Sequence, residues 1–432
     1  MNREIFKIAL PAIVANVTIP LLGLLDTAIA GHLGAAAYLG AISVGTMMFN
    51  LIYWNFGFLR MGTSGLTAQA YGEGSRHNQA RVLHQSVMLA LLISVGILLL
   101  QTPLQQVTLL AIGPSETVRQ LALQFYDICI WGAPPLLVMM SIKGWMLGMQ
   151  DSYGAMMISI LVNVLNIIVC LIAVYCFGMG FKGIAVGTVT AEWLGLFYSG
   201  WLLQRRHGWL KSHLDWHMAL SREDYSRFFK VNGDIFVRSA LMMVVMLFFM
   251  AVGARSGDLL LAVNALIMQL FTLYSYFLDG IAFAGEAIVG KYSGSGDDRH
   301  VDSSVHHLFL WAAVLTVIFT LIYAFPHDVF ALLTDNADVV RTAMDYRLWC
   351  ALIPVAGMAA FVWDGVFIGL TRTRGMLMAV VVAFMTFFAV FYLVPSSWGN
   401  NRLWLAYIVF LAMRGAVQTV HYHLVIKRHR SL

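Results

Sequence analysis

Charge is what this sequence holds least of. Asp, Glu, Lys and Arg make up 11% of its 432 residues, where a soluble domain carries about a quarter. With 60% hydrophobic residues and a mean hydropathy of +0.77, a water-soluble globule is excluded. The solvent for most of the surface must be lipid. Cysteine is scarce too: Cys129, Cys170, Cys176 and Cys350 lie in or near apolar runs and form no CxxC. That excludes a disulfide framework or a zinc cluster. No GxxxxGK[ST] stretch occurs, so no P-loop ATPase is present. No catalytic triad, cofactor motif or nucleic-acid module stands out, so neither enzymatic activity nor a cofactor is expected. The net charge of +5 reads as loops facing an anionic membrane surface. No cleavable signal peptide is expected, because the first apolar run continues past any signal-like core.

What is there is a series of long apolar runs. A bilayer core needs roughly 20 such residues per helix. Twelve segments qualify, near 6–30, 38–68, 83–102, 119–148, 155–177, 183–204, 229–253, 258–289, 305–325, 345–370, 376–395 and 402–426. The longest link, 205–228, divides the chain into a first lobe, 1–204, and a second, 229–432. Lys and Arg are retained on the cytoplasmic side. With the N-terminus inside, seventeen of the 27 fall in inner segments and six in outer ones; Arg60, Lys143, Arg238 and Arg414 remain at membrane depth. The bias predicts a multi-pass protein of the cytoplasmic (inner) membrane with both termini and the 205–228 linker inside.

The halves look like copies. "FKIALPAIVANV" from Phe6 matches "FKVNGDIFVRSA" from Phe229, "QAYGEG" ending at Gly74 matches "KYSGSG" ending at Gly296, and "KGWMLGMQDSYG" at 143–154 matches "DGVFIGLTRTRG" at 364–375. Six spans per half give both halves one orientation, and so a parallel repeat about an axis along the membrane normal. Two six-helix lobes suit a rocking transporter better than a channel, and energy should come from an ion gradient.

Polar residues at membrane depth are the candidate site. Asp26 interrupts "LLGLLDTAIAGHLG" well past the middle of the first span; at a helix centre a charged Asp costs about 2.5–3.5 kcal/mol. Such acids are functional by default. Pro20 gives the carbonyl of Asn16 no helical donor, so the helix can bend there. Asn163 and Asn166 lie three apart on one face of span 5, and span 6 offers Thr188, Thr190 and Glu192. Some of these should converge on Asp26, to bond its protonated form or coordinate a hard cation. Asn55 and Arg60 lie in span 2, and Arg60 could neutralise an acid. In the second lobe the candidates are Asp234, Arg238, Asn264, Asp279, Glu286 and Asp364. Asp234 and Arg238, at i,i+4, are expected to form a structural ion pair. Glu286 and Asp364 are expected near the cytoplasmic helix ends, where water makes them cheap.

The assembled set resembles the multidrug and toxic compound extrusion (MATE) family, in its DinF-like branch. It is carried by "ALPAIVANVTIPLLGLLDTAIAGHLG" at 9–34, "KGWMLGMQDSYG" at 143–154, "NVLNIIVCLIAVYCFGMGFKGIAVGTVTAEW" at 163–193, "DIFVRSALM" at 234–242, "LDGIAFAGEA" at 278–287, "WDGVFIGLTRTRG" at 363–375 and "LWLAYIVFLAMRG" at 403–415. The resemblance implies an all-α MATE fold of twelve transmembrane helices in two six-helix lobes. It implies an antiporter that exports small organic, often cationic and lipophilic, compounds while protons or sodium ions enter, working as a monomer. Asp26 matches the family's coupling acid, and Asn166 and Thr188 match its neighbours. A second acid of that lobe is Cys170 here. Thiol is a poor ligand for sodium, which leans the expectation towards protons over a sodium ion at Asp26. A tyrosine one turn before the helix-1 acid in some relatives is Leu22. The rival reading is a flippase or exporter of a lipid-linked or anionic precursor, whose cavity should be strongly cationic.

Overall fold

The computed structural model describes residues 1–32, 36–213, 222–325 and 327–427. Among the described residues twelve helices are long enough to cross a bilayer: α1 (Asn2–His32), α2 (Ala37–Gly72), α3 (Arg76–Leu99), α4 (Glu116–Gly148), α5 (Ser152–Cys176), α6 (Phe181–Arg206), α7 (Arg222–Arg255), α8 (Asp258–Gly294), α9 (Asp298–Ala324), α10 (Arg347–Gly369), α11 (Thr373–Leu393) and α12 (Asn400–Ile426). Eleven of them are strongly apolar. The exception is α6, which carries Lys182, Thr188, Thr190 and Glu192 along its 26 residues. Outward-facing Leu24, Leu92, Phe197 and Leu321 are more than half exposed, as surfaces solvated by lipid should be.

Three short helices stand where the sequence suggested plain links: Gln101–Ile112, His327–Leu333 and Ala337–Met344. A count keyed to long apolar runs passes over them, because they are short and amphipathic. In the last of them Val339, Val340 and Ala343 are buried while Asp338 and Arg341 pair in solvent at 2.5 Å.

The chain forms two compact units. One comprises Val14–Asn232; the other joins Met1–Ile13 to Gly233–Leu432. Thus α1 is shared, although it runs unbroken through Pro11 and Pro20. Its first turns bind α8 and α9: Glu4 pairs with Lys291 at 3.0 Å, Trp311 donates its indole N–H to Asn2 at 3.1 Å, and Phe6 packs edge-on against Trp311.

The repeat has a physical content in each unit. In the first, a Cβ at Gly144 would lie 2.3 Å from the Arg60 carbonyl and one at Gly148 2.6 Å from that of Ser64, so α4 packs backbone-to-backbone on α2. In the second, Gly365 and Gly369 bring α10 to within 2.2 Å of the Ala282 carbonyl and 2.9 Å of the Glu286 carbonyl on α8 by the same measure. Small residues permit such close approach. The "YGEG" and "YSGSG" turns also match. Gly74 and Gly296 adopt left-handed φ of 70° and 72°, and Ser75 and Asp297 then cap the next helix, accepting from Asn78 and His300.

Candidate functional site

In the first unit, among the described residues, three spanning helices change their winding, two in mid-helix and one at its end. α2 tightens to a 3₁₀ turn at Trp54–Gly57, α4 does so at Ile130–Gly132, and α5 ends in a π turn at Ile172–Cys176. The α4 break has a local cause. Pro134 and Pro135 lack N–H groups, so the carbonyls of Ile130 and Trp131 lose their helical donors. The Trp193 indole, from α6, donates to the Trp131 carbonyl at 3.2 Å instead.

Around these breaks lies a polar interior. On α5, Asn166 is 2% exposed. It donates to the Thr188 hydroxyl at 3.2 Å and accepts the Cys170 thiol at 3.3 Å. The Cys170 thiol also reaches the Ile184 carbonyl at 3.4 Å, and Thr188 bonds the same carbonyl at 3.0 Å. Asp26 enters from α1, one turn before Ile29 and Ala30, which pack with Cys129, Cys170 and Ile184 in one apolar cluster. Its charge acts on both Cys129 and Cys170. Its Oδ1 is fully buried without a hydrogen-bond partner among the described residues. An unsatisfied buried carboxyl oxygen costs free energy that a proton or a ligand can recover. Asp26 therefore turns into its own helical unit. Asn163 does not join this group: it donates to the Thr18 hydroxyl at 2.8 Å, holding α5 to α1 two turns before Asp26. Asn55 sits in the 3₁₀ turn of α2. Arg60 lies on α2 where α4 packs against it, its carbonyl beside Gly144.

The second unit is built differently. Asp364, 7% exposed, accepts from Arg238, from Arg414 at 2.7 Å and from Gln418 at 2.8 Å. The charge of Asp279 also acts on Arg238. Two expectations fail here. Arg238 pairs with Asp364, not with Asp234, whose carboxylate accepts the Thr373 hydroxyl at 2.8 Å instead. The i,i+4 spacing made the pair possible, but tertiary packing offered a buried carboxylate across the bundle. Nor does water make Asp364 and Glu286 cheap: Glu286 is 1% exposed, and the arginines supply the charge balance at Asp364. Asn264 is saturated by a reciprocal amide pair with Asn400, at 3.0 and 2.7 Å, and by the Trp404 indole at 2.8 Å. It joins α8 to α12.

Sequence reading missed two groupings. Arg414 and Gln418 share a helix face with i,i+4 spacing, which pointed to a common partner. Tyr53, Cys129 and Lys143, around Glu192, lie far apart in the chain and gave no signal.

Comparison with known proteins agrees with this architecture. The MatE family model matches residues 11–172 and 235–393. DNA damage-inducible protein F of Escherichia coli is 35% identical over 416 residues, 96% of this chain and 90% of that protein. Multidrug resistance protein MdtK of Yersinia enterocolitica is 24% identical, over 95% and 92%. Among solved structures, that of MATE in the straight conformation superposes with a TM-score of 0.86 at 18% identity, covering 99% of this chain and 97% of the other.

Proposed function

The chain belongs to the MatE family, and from that premise we propose that it exports small organic compounds, often cationic and lipophilic, across the cytoplasmic membrane in exchange for protons. The single observation that carries the coupling is Asp26, a carboxyl turned into its helical unit with one oxygen buried and unbonded. The multidrug relative named above supports the substrate class. The choice of protons over sodium follows from the donors at hand. A hard cation needs several oxygen ligands. Here the Asn166 oxygen is already taken by the Cys170 thiol, which stands where an acid would supply a further hard ligand.

In the outward-open state Asp26 takes a proton from the side where protons are abundant. The loss of charge releases a bound cation and frees Asp26 to bond Asn166 or Thr188. Helix α1 adjusts near Pro20, where the helical ladder lacks one donor. The two lobes then exchange access, and the proton leaves to the cytoplasm. Proton and drug must disfavour each other's bound state, because a ligand shifts a population only through differential affinity.

The test is export of a fluorescent cation, read as its uptake into everted vesicles, with each gradient imposed separately. A pH gradient should drive wild-type efflux and a sodium gradient should not. Asp26→Asn should insert normally yet lose gradient-driven efflux. Unimpaired efflux by that variant would remove Asp26 from the mechanism, and sodium-driven efflux would overturn the choice of ion.

A further inference from the structure

Glu192 has no part in the scheme above, yet it shares the same interior. It stands one turn beyond Thr188 on α6, on the same face. Its Oε2 fills the space opened by the break in α4: a Cβ on Gly132 would lie 1.8 Å from it. Its charge acts on Tyr53 from α2 and on Cys129 and Lys143 from α4. Lys143 precedes Gly144, which packs on the Arg60 backbone, so the two cations are neighbours in charge. The Tyr53 hydroxyl is fully buried and has no hydrogen-bond partner among the described residues. Cys129 feels both Glu192 and Asp26, so one thiol lies within range of the two carboxyls.

This chain also shows what a structural buried carboxylate looks like. Asp364 is closed by two arginines and an amide in direct contact. Among the described residues Glu192 has nothing comparable. Among the described contacts no direct ion pair or hydrogen bond joins it to Lys143, and the nearby phenol is left unbonded.

We propose that Glu192 is a second proton-exchanging carboxyl of the Asp26 site, with Lys143 as its counter-charge and the Tyr53 hydroxyl as the group that bonds it when the site is occupied. This rests on the transport reading given above. With both acids ionised, Asp26, Glu192, Lys143 and Arg60 sum to zero. With both protonated, the same groups carry two positive charges. A two-proton change thus turns a neutral site into one that repels an organic cation.

The experiment uses the purified full-length protein in weakly buffered detergent, with tetraphenylphosphonium as the probe. Protons released per cation bound should approach two for the wild type and one for either E192Q or D26N. In parallel, dicyclohexylcarbodiimide, which modifies protonated carboxyls in apolar surroundings, should label Asp26 and Glu192 in the wild type, and the cation should slow both. K143Q should move the pH profile of labelling at Glu192 while leaving that at Asp26 in place, a change that a merely structural Glu192 would not show. Labelling of Asp26 alone, or wild-type proton release by E192Q, overturns the proposal. If the wild type binds no tetraphenylphosphonium, the transport reading is what fails. The labelling of Glu192 needs no ligand and no glutamate variant, so it decides in that case and also if E192Q does not fold.

Discussion

At the scale of the residue, two aspartates are held in opposite ways. Asp364 is saturated by Arg238, Arg414 and Gln418, whereas Asp26 keeps an unbonded oxygen. Removing one member of a buried ion cluster leaves the others uncompensated and costs about 3–5 kcal/mol. Asp364→Asn should therefore lower the unfolding midpoint in detergent by a wide margin. Asp26→Asn should leave that midpoint near the wild-type value, so its loss of efflux is a loss of function in a folded protein. A third aspartate, Asp151, caps α5 between the spans, accepting from the Gly154 N–H at 2.9 Å and from Arg206 at 2.6 Å. Burial pushes its carboxyl up, but the His207 ring, the Gly154 amide and Arg206 together hold it below the ordinary 3.8. A depressed folded-state value means the contribution is complete above pH ~4 and lost as pH falls through that lower value. Asp151→Asn should flatten this acid loss, read as hydrogen exchange of residues 148–154 between about pH 5 and pH 2.

At the scale of the element, glycine sets how closely helices pack. Gly144 and Gly365 press α4 and α10 onto the carbonyls of Arg60 and Ala282, and backbone cannot move aside as a side-chain tip can. Gly144→Ala or Gly365→Ala should each destabilise by about 1–3 kcal/mol through overpacking. Gly96 on α3 meets nothing within 4 Å. There the same change should stabilise by about 0.5–1 kcal/mol, because alanine loses less freedom in a helix. Thermal unfolding of the three variants in one detergent checks both signs. The prolines act in the opposite sense. Pro134 and Pro135 break α4, and the broken turn makes room for Glu192 over Gly132 and for the Trp193 indole at the Trp131 carbonyl. Replacing both prolines by alanine should restore helical hydrogen bonding there.

At the scale of the whole molecule, the bias of Lys and Arg predicts that the N-terminus, the 205–228 segment and the C-terminus face the cytoplasm. Protease sites added at these three places should be cut in everted vesicles and spared in intact cells. Cleavage of any one from the outside would overturn the topology. The sequence by itself determined the membrane class, the twelve spans and the internal repeat. Lipid forces a long apolar run on every crossing helix, and a duplicated lobe leaves paired motifs such as "YGEG" and "YSGSG", whose helix-ending turns are local. It also singled out Asp26, because an acid in an apolar run stands out whatever surrounds it. Only the tertiary structure decided how the polar groups pair. Arg238 chose Asp364 over Asp234, closer in the chain, Asn163 turned to Thr18, and Glu192 of α6 came to lie over Gly132 of α4. Charges in a low-dielectric interior select partners by distance in space, and no spacing along the chain encodes that distance.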